Sequence, residues 1–222
     1  MDELEQCLEK SFQELDISEE QQNSIRVYLN LVENKDPDTA NHCKRCGLLG
    51  YKVGDRMLIS RKALLYGGLL HDVGKALISP ETLQMTEGYG PKQQDEMKHH
   101  PIDGYRILAG VHEFTAEVIL RHHTFSGRGY PSRFPKSRQE WSKSTQALID
   151  FLARMISIID FYDAASNREN DKFGEKRLPE PDEVKNLLLE HNKGMEETIE
   201  RLYDSGIFGC PVTNLFENYS CK

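Results

Sequence analysis

Residues 67–75 read Gly-Gly-Leu-Leu-His-Asp-Val-Gly-Lys and place His71 and Asp72 side by side after an apolar run. The spacing predicts a helix over residues 60–75 whose buried face carries this pair, with Lys75 one turn further along the same face. Burying a charged group is costly unless the group is paired or bound to a cation. The pair therefore indicates a helix-built core with a polar site inside it that needs a compensating partner.

Other side chains that can bind metals also lie where a helix pattern would bury them. Asp160 ends an apolar stripe in a segment that reads as a helix over residues 145–167, so a carboxylate takes a position reserved for an apolar side chain. Imidazoles and carboxylates spread this far along a chain rarely converge unless something cationic holds them. The sequence therefore predicts a buried site for two metal ions. In chain order, the candidate ligands are His42, His71, Asp72, His100, His122, His123 and Asp160.

Composition limits the classes of protein to which this chain can belong. Its 222 residues, 38% hydrophobic and 29% charged, can bury one sizeable core, and we expect one main folded unit. No run approaches the roughly 20 apolar residues that span a bilayer, and the acidic start does not resemble a signal peptide. We therefore expect a cytoplasmic protein without a membrane partner. The net charge of −8 argues against DNA binding, which depends on phosphate neutralisation.

Helical patterns cover almost the whole chain and alternating strand patterns are essentially absent, which predicts an all-α fold. Ser18 is expected to cap the start of one helix. Further helices are predicted over residues 39–51 and 183–203. Cys43 and Cys46 form an isolated Cys-x-x-Cys pair, for which packing of small residues in a helix is a better reading than zinc binding or redox chemistry.

Five motifs occur in the order and register of a known family. They are His71-Asp72-Val73-Gly74-Lys75, His100-Pro101-Ile102-Asp103-Gly104, His122-His123, Gly127-Arg128-Gly129-Tyr130-Pro131 and Asp160-Phe161-Tyr162-Asp163-Ala164. A lone His-Asp dipeptide arises by chance in many chains, whereas five motifs in series are specific. From residue 36 to about residue 172, the chain resembles the HD-GYP phosphodiesterases, a branch of the HD metal-dependent phosphohydrolase superfamily.

This resemblance implies an HD-type helical bundle with the metal centre between its helices. We expect three segments along the chain. Residues 1–36 would be an N-terminal helical cap or dimerisation segment, which leaves a homodimer open. Residues 37–208 would be the HD-GYP-like catalytic domain, and residues 209–222 an irregular C-terminal tail.

The resemblance also implies two divalent metal ions, for which iron or manganese suits the mixed histidine and carboxylate ligands best. One ion would be held by His42, His71, Asp72 and Asp160. The other would be held by His100, His122 and His123, with Asp72 bridging to it.

Two further aspartates fall near these ligands. Asp38 stands where some members of the family carry a glutamate that binds a third metal; the alternative is that Asp38 caps a helix beginning at Thr39. Asp163 follows Asp160 on the same helix face and could orient a histidine by hydrogen bonding.

The implied reaction is hydrolysis of cyclic di-GMP to linear pGpG, with further cleavage to GMP as an additional step. Asp72 and Lys75 would be the catalytic residues, because the Lys75 ammonium can contact a phosphate oxygen or the leaving group. The loop over residues 124–144 is basic in an otherwise acidic chain, which suits a phosphate-bearing partner. The expected substrate contacts are Lys75, Arg128, Tyr130, Arg168 and Lys172.

The chain departs from the family pattern after the paired histidines, where Thr124 replaces a glutamate and Ser126 replaces an aspartate. Two alternatives therefore stay open. One is an HD phosphohydrolase that acts on another nucleotide, such as a different cyclic dinucleotide. The other is a catalytically weak module that binds cyclic di-GMP.

Overall fold

The computed structural model describes residues 2–83, 85, 90–125, 129–167 and 177–216, and within these ranges the chain forms helices and turns without a strand. The prediction of an all-α fold is therefore confirmed. In chain order, the helices are α1 (Glu3–Glu14), α2 (Glu19–Glu33), α3 (Pro37–Met57), α4 (Arg61–Leu70), α5 (Pro80–Leu83), α6 (Pro91–Lys98), α7 (His100–Leu108), α8 (Glu113–Leu120), α9 (Lys143–Asn167), α10 (Pro181–His191) and α11 (Glu196–Asp204). Two short 3-10 turns span Val73–Leu77 and Val212–Leu215.

Helices α3 and α9 form the centre of the bundle. Helix α3 packs against α1, α2, α4 and α9, and α9 also contacts α4, α8 and α10. The buried face of α9 carries Leu152, Met155, Ile156 and Ile159, all with 0% exposure. Apolar side chains at this helical spacing account for the packing of α9 in the core. None of the described helices is both long and apolar enough to cross a bilayer.

Side-chain caps set the starts of α2 and α3. Ser18 accepts a hydrogen bond from the backbone N–H of Gln21, which confirms Ser18 as the cap of α2. At α3 the cap is Asp36, whose carboxylate accepts from the N–H of Thr39. The alternative in which Asp38 caps this helix is wrong, because Pro37 already occupies a first-turn position and Asp38 lies inside the helix.

The predicted continuous helix over residues 60–75 is wrong. Helix α4 ends at Leu70, and His71 and Asp72 lie in a turn that leads into the 3-10 turn Val73–Leu77. After this break the chain packs closely at Gly74 against the backbone at the start of α7. A Cβ atom at Gly74 would lie 2.0 Å from the carbonyl oxygen of His100. The turn thereby brings the His-Asp pair against α7.

The predicted single helix over residues 183–203 is also wrong, because the chain forms α10 and α11 with a break between them. Gly194 has φ of +84° in this break, a left-handed conformation that favours glycine. The Asn192 side chain donates to the carbonyl oxygen of Leu188, which satisfies a carbonyl group at the end of α10.

A close approach of backbones joins α3 to α4. A Cβ atom at Gly50 on α3 would lie 2.5 Å from the carbonyl oxygen of Leu64 on α4. The two helices can pack this tightly only because Gly50 has no side chain. The packing holds His42 on α3 opposite His71 at the end of α4.

Replacing Gly50 by alanine should therefore destabilise the protein by about 1–3 kcal/mol, because the added methyl group meets backbone that cannot move aside cheaply. Urea denaturation of the two proteins measures this change. Gly67→Ala is the matched control: it gains the same helix propensity, but its Cβ would meet the flexible end of the Ile156 side chain at 3.0 Å. Equal stability of Gly50→Ala and wild type would contradict the account of this contact.

Candidate metal centre

The candidate ligands come together in the interior between α3, α4, α7, α8 and α9. Three of these elements contribute at a helix end, namely the turn after α4, the first residue of α7 and the turn after α8. The other two contribute from within a helix. In chain order, the side chains are His42 (α3), His71 and Asp72 (turn after α4), His100 (α7), His122 and His123 (turn after α8) and Asp160 (α9).

His42, His71 and Asp160 form the first of two ligand clusters. Nε2 of His42 lies 3.2 Å from Nε2 of His71 and 3.0 Å from Oδ1 of Asp160. Nε2 of His71 lies 3.7 Å from the same oxygen. Two atoms that bind one ion at about 2.0–2.2 Å are at most about 4.4 Å apart, so all three separations suit a shared ion.

His100, His122 and His123 form the second cluster. Nε2 of His100 lies 3.4 Å from Nε2 of His122, and each of the three rings has a nitrogen within 4.8 Å of the others. Asp72 lies between the clusters, with Oδ1 3.3 Å from Nε2 of His100 and Oδ2 3.4 Å from Nε2 of His71. This is the position that a bridging carboxylate would need.

Backbone hydrogen bonds orient three of the histidine rings. In His71, His100 and His122, Nδ1 lies within hydrogen-bonding distance of the carbonyl oxygen three residues earlier in the chain. A carbonyl oxygen can only accept, so Nδ1 of each ring carries a proton and donates it. In a neutral imidazole the lone pair is then on Nε2, the nitrogen that points into the clusters.

The ring of His42 is also protonated at Nδ1, but its acceptor is a side chain. Its Nδ1 donates to Oδ2 of Asp163 at 2.7 Å, which leaves the lone pair of a neutral His42 on Nε2. The Nε2 atoms of His42 and His71 therefore face each other as two acceptors. Two acceptors this close repel unless a proton or a metal ion lies between them. Imidazole and carboxylate donors together fit a divalent transition metal.

The first cluster and Asp72 attract positive charge. Burial alone would raise the pKa of Asp72 and of Asp160. The charge of Lys75 nevertheless lowers the pKa of Asp72 well below its usual range. Hydrogen bonds from His42 and His71 do the same for the pKa of Asp160. Burial acts to lower the pKa of His71, yet the charge of Asp72 raises it well above its ordinary value. A proton on His71 and a bound metal ion would therefore compete for this cluster.

The second cluster offers neutral imidazoles. Burial lowers the pKa of His100 to about 3 and that of His122 to about 4, and it holds the pKa of His123 well below its ordinary value. All three rings are therefore neutral near pH 7. A metal ion binds neutral imidazole, so it need not displace a proton from these rings.

Asp163 ties the first cluster to a cation outside it. Besides accepting from His42, its carboxylate accepts from Nε and Nη2 of Arg45 at 2.8 Å each. This geometry agrees with the prediction that Asp163 orients a histidine. Arg45 was not among the sequence candidates. Its position one turn after His42 on α3 is the signal that could have found it, whereas its partner lies 118 residues away in sequence.

The two cysteines lie beside the first cluster, where Cys46 forms a metal-capable group with His42 and His71 and Cys43 forms one with His71 and Asp72. Cys43 and Cys46 are fully buried, and burial raises the pKa of Cys43 to about 11 and that of Cys46 well above its ordinary value. Metal binding needs the thiolate, which these environments disfavour. Sγ of Cys46 lies 3.6 Å from Nδ1 of His42, as packing within one helix would place it. The reading of this pair as packed small residues fits the structure.

The remaining sequence candidates differ in where they lie. Asp38 is one turn before His42, but it is exposed and belongs to none of the metal-capable groups found among the described residues, so a third metal stays a prediction. The ring of Tyr130 stacks on that of His123 with centroids 4.5 Å apart, beside the second cluster. Three candidates lie outside the described residues: Arg128, Arg168 and Lys172.

Comparison with protein families gives one match that covers more than half of the chain. A family profile described as HD domain matches residues 39–165. The matched range contains every candidate ligand from His42 to Asp160, and it ends just after Asp163. HD domains depend on metal ions, and groups that could bind them occur at both clusters: His100 with His122 and His123, and His42 with His71 and Cys46.

Three curated proteins are similar to the chain. One is a cyclic di-GMP phosphodiesterase of Thermotoga maritima, 28% identical over 152 residues, which are 65% of this chain and 39% of that protein. The second is the cyclic di-GMP phosphodiesterase response regulator RpfG of Xanthomonas campestris, 25% identical over 72% of this chain and 42% of that protein. The third, a cyclic di-GMP phosphodiesterase of Pseudomonas aeruginosa, is 31% identical over 48% of this chain and 24% of that protein. The matched region thus spans less than half the length of each relative.

Asp163→Ala should weaken metal binding about 10–100-fold, because Nδ1 of His42 loses the carboxylate that fixes its ring and its lone pair. Calorimetric titration of metal-free protein with Mn²⁺ measures the affinity. Asp150→Ala is the control, since Asp150 lies on the same helix but is exposed. Unchanged Mn²⁺ affinity in Asp163→Ala would show that the His42–Asp163 contact does not support a metal site.

Proposed function

This chain belongs to the HD domain family, and from that premise we propose that it is a metal-dependent phosphodiesterase that hydrolyses cyclic di-GMP to linear pGpG, with GMP as a further product. The observation that carries the proposal is the convergence of imidazole nitrogens and carboxylate oxygens in two adjacent clusters with Asp72 between them. The names of the three similar proteins support cyclic di-GMP as the substrate.

We propose two divalent ions, iron or manganese, one in each cluster. His42, His71 and Asp160 would hold one, and His100, His122 and His123 would hold the other. When bound, such ions supply charge neutralisation at phosphoryl oxygens and a water of lowered pKa. Near pH 7 the second cluster binds without losing protons, whereas the first must release the proton that His71 attracts.

Asp72 would act as a ligand shared by the two proposed metal sites. Each of its oxygens faces a different cluster, at 3.3 Å from His100 and 3.4 Å from His71. Its side chain is 2% exposed and the low pKa keeps it ionised, so it presents a fixed negative charge to both clusters. Removing this carboxylate takes away a ligand from each proposed metal site at once.

Lys75 would supply a cation on the substrate side of Asp72. Its Nζ donates to Oδ2 of Asp72 at 2.6 Å, and its side chain is 15% exposed. An ammonium group in this position can hydrogen-bond to a phosphate oxygen or to the departing alkoxide and so stabilise charge that develops during P–O cleavage.

Tyr130 would form part of the substrate pocket. Its ring covers that of His123 and lies 6.1 Å from that of His100, and its other face can stack on a guanine base. Phosphate contacts by Arg128, Arg168 and Lys172 are part of the proposal and rest on the sequence.

We propose that residues 1–36 cap the bundle around the catalytic domain, residues 37–208. Buried side chains of α1 and α2, including Leu8, Phe12 and Ile25, support this role. The irregular tail from residue 209, the cytoplasmic location, the homodimer and the absence of DNA binding remain predictions from the sequence.

One observation favours a substrate other than cyclic di-GMP as the second candidate. Thr124, which replaces the glutamate of the family pattern, donates its hydroxyl to the carbonyl oxygen of Arg121. The side chain is thereby used locally in the turn. This altered turn adjoins the paired histidines, so the pocket there could accept another cyclic dinucleotide.

Incubation of manganese-loaded protein with cyclic di-GMP should yield pGpG, seen by chromatography, and Asp72→Ala should abolish the product because both proposed metal sites lose a ligand. Asp95→Ala, an exposed substitution on α6, is the control and should behave as wild type. Cyclic di-AMP assayed in parallel separates the two candidate substrates. No product from cyclic di-GMP despite full metal occupancy would refute the proposed function.

Lys75→Met should lower kcat by about 10²–10³-fold and leave the bound metal unchanged, because it removes a cation that assists the transition state but none of the proposed ligands. Steady-state kinetics and elemental analysis of the same sample measure the two quantities. Lys98→Met removes an exposed ammonium and should have no effect. Full turnover by Lys75→Met would exclude the proposed role of Lys75.

A further inference from the structure

A cavity of about 420 Å³ lies next to the candidate metal centre. It is lined in part by Asp163, whose carboxylate also accepts a hydrogen bond from His42. It is partly open to solvent and is lined by residues of α1, α3, α9, α10 and α11 and by residues 209–213. None of the proposed metal ligands lines it. Its volume falls within the range of about 300–1,000 Å³ that is typical of small-molecule sites.

The wall of this cavity is mostly apolar. Its apolar lining includes Leu4, Leu49, Pro179, Val184, Pro211 and Val212. The charged side chains that line it are Arg45 and Asp163, which pair with each other. Apolar walls with a few fixed polar groups are characteristic of sites that bind small organic molecules.

One buried hydrogen-bond donor in the wall has no acceptor among the described residues. The hydroxyl of Tyr203 is buried and has no hydrogen-bond partner within the part of the chain that the structure describes. Burial raises the pKa of Tyr203, so the hydroxyl keeps its proton. The Arg45 side chain, 22% exposed, also lines the cavity, and its Nε and Nη2 donate to Asp163. Most buried donors in folded proteins have an acceptor, so the Tyr203 hydroxyl is a group that can donate to a molecule held in the cavity.

We propose that this cavity is a binding site for a small, mostly apolar molecule that carries a carboxylate or carbonyl oxygen. The apolar part would pack against the aliphatic and proline side chains, and the oxygen would accept hydrogen bonds from Tyr203 and Arg45. This site is separate from the pocket proposed for the phosphodiester substrate, and its existence does not depend on the reaction that the metal centre performs.

Calorimetric titration of the full chain with 2-naphthoate, an aromatic carboxylate, tests the site. Naphthalen-2-ylmethylammonium, which has the same ring system but a donor in place of the acceptor, is the matched probe. We expect naphthoate to bind and the ammonium not to bind. Tyr203→Phe should lower naphthoate affinity about tenfold, because it removes one donor to the carboxylate. The substitution should leave the fold intact, since that hydroxyl has no partner to lose.

Tyr66→Phe is the control for this substitution. Tyr66 also has a buried hydroxyl without a hydrogen-bond partner among the described residues, but it lines a different cavity beside His112, so loss of this hydroxyl should not change naphthoate affinity. Val184→Trp should fill the proposed site and abolish binding. No binding of naphthoate to wild type would overturn the proposal. Binding that persists unchanged in Tyr203→Phe and Val184→Trp would do so too, because it would place naphthoate elsewhere, for example at the metal centre.

Discussion

The contact between the Nε2 atoms of His42 and His71, 3.2 Å apart, is the interaction on which the rest of the centre depends. In each ring Nδ1 donates a hydrogen bond to an acceptor, so the Nε2 lone pairs of the two neutral rings face each other unless a proton or a cation lies between them. Asp72 and Asp160 add negative charge at the same place, and both are held ionised. Unpaired polar and charged groups in a protein interior cost free energy. A bound cation would offset both the repulsion between the lone pairs and the burial of the two carboxylates. The metal-binding proposal follows from this electrostatic requirement as much as from family membership.

The bundle maintains that contact through tight backbone packing. Gly50 lets α3 approach α4, and Gly74 lets the turn after α4 lie against the carbonyl oxygen of His100. These two approaches help to place Asp72 between the two clusters, one built from α3, the turn after α4 and α9, and the other from α7 and the turn after α8. Asp163 then accepts hydrogen bonds from both His42 and Arg45. The same buried carboxylate lines the cavity of about 420 Å³ next to the metal centre.

Motif order identified the candidate ligands from sequence because each lies in a short, recognisable string of residues. Local patterns also predicted the cap at Ser18, whose partner is three residues away. The end of α4 at Leu70 was missed because the apolar pattern continues past it, and the packing of the following turn at Gly74 is against α7, which is distant in sequence. The break between α10 and α11 was also missed, although Gly194 is a local signal for it. The helical spacing of apolar residues on both sides of Gly194 favoured a single helix. Arg45 was missed because its partner, Asp163, is distant in sequence and near only after folding.

Anomalous X-ray diffraction at the manganese edge, from crystals grown with Mn²⁺, tests the central claim most directly. We predict two strong peaks per chain, one among His42, His71 and Asp160 and the other among His100, His122 and His123, with the Asp72 carboxylate contacting both. The absence of anomalous signal at these side chains, or a peak at Cys43 and Cys46 in their place, would contradict the account.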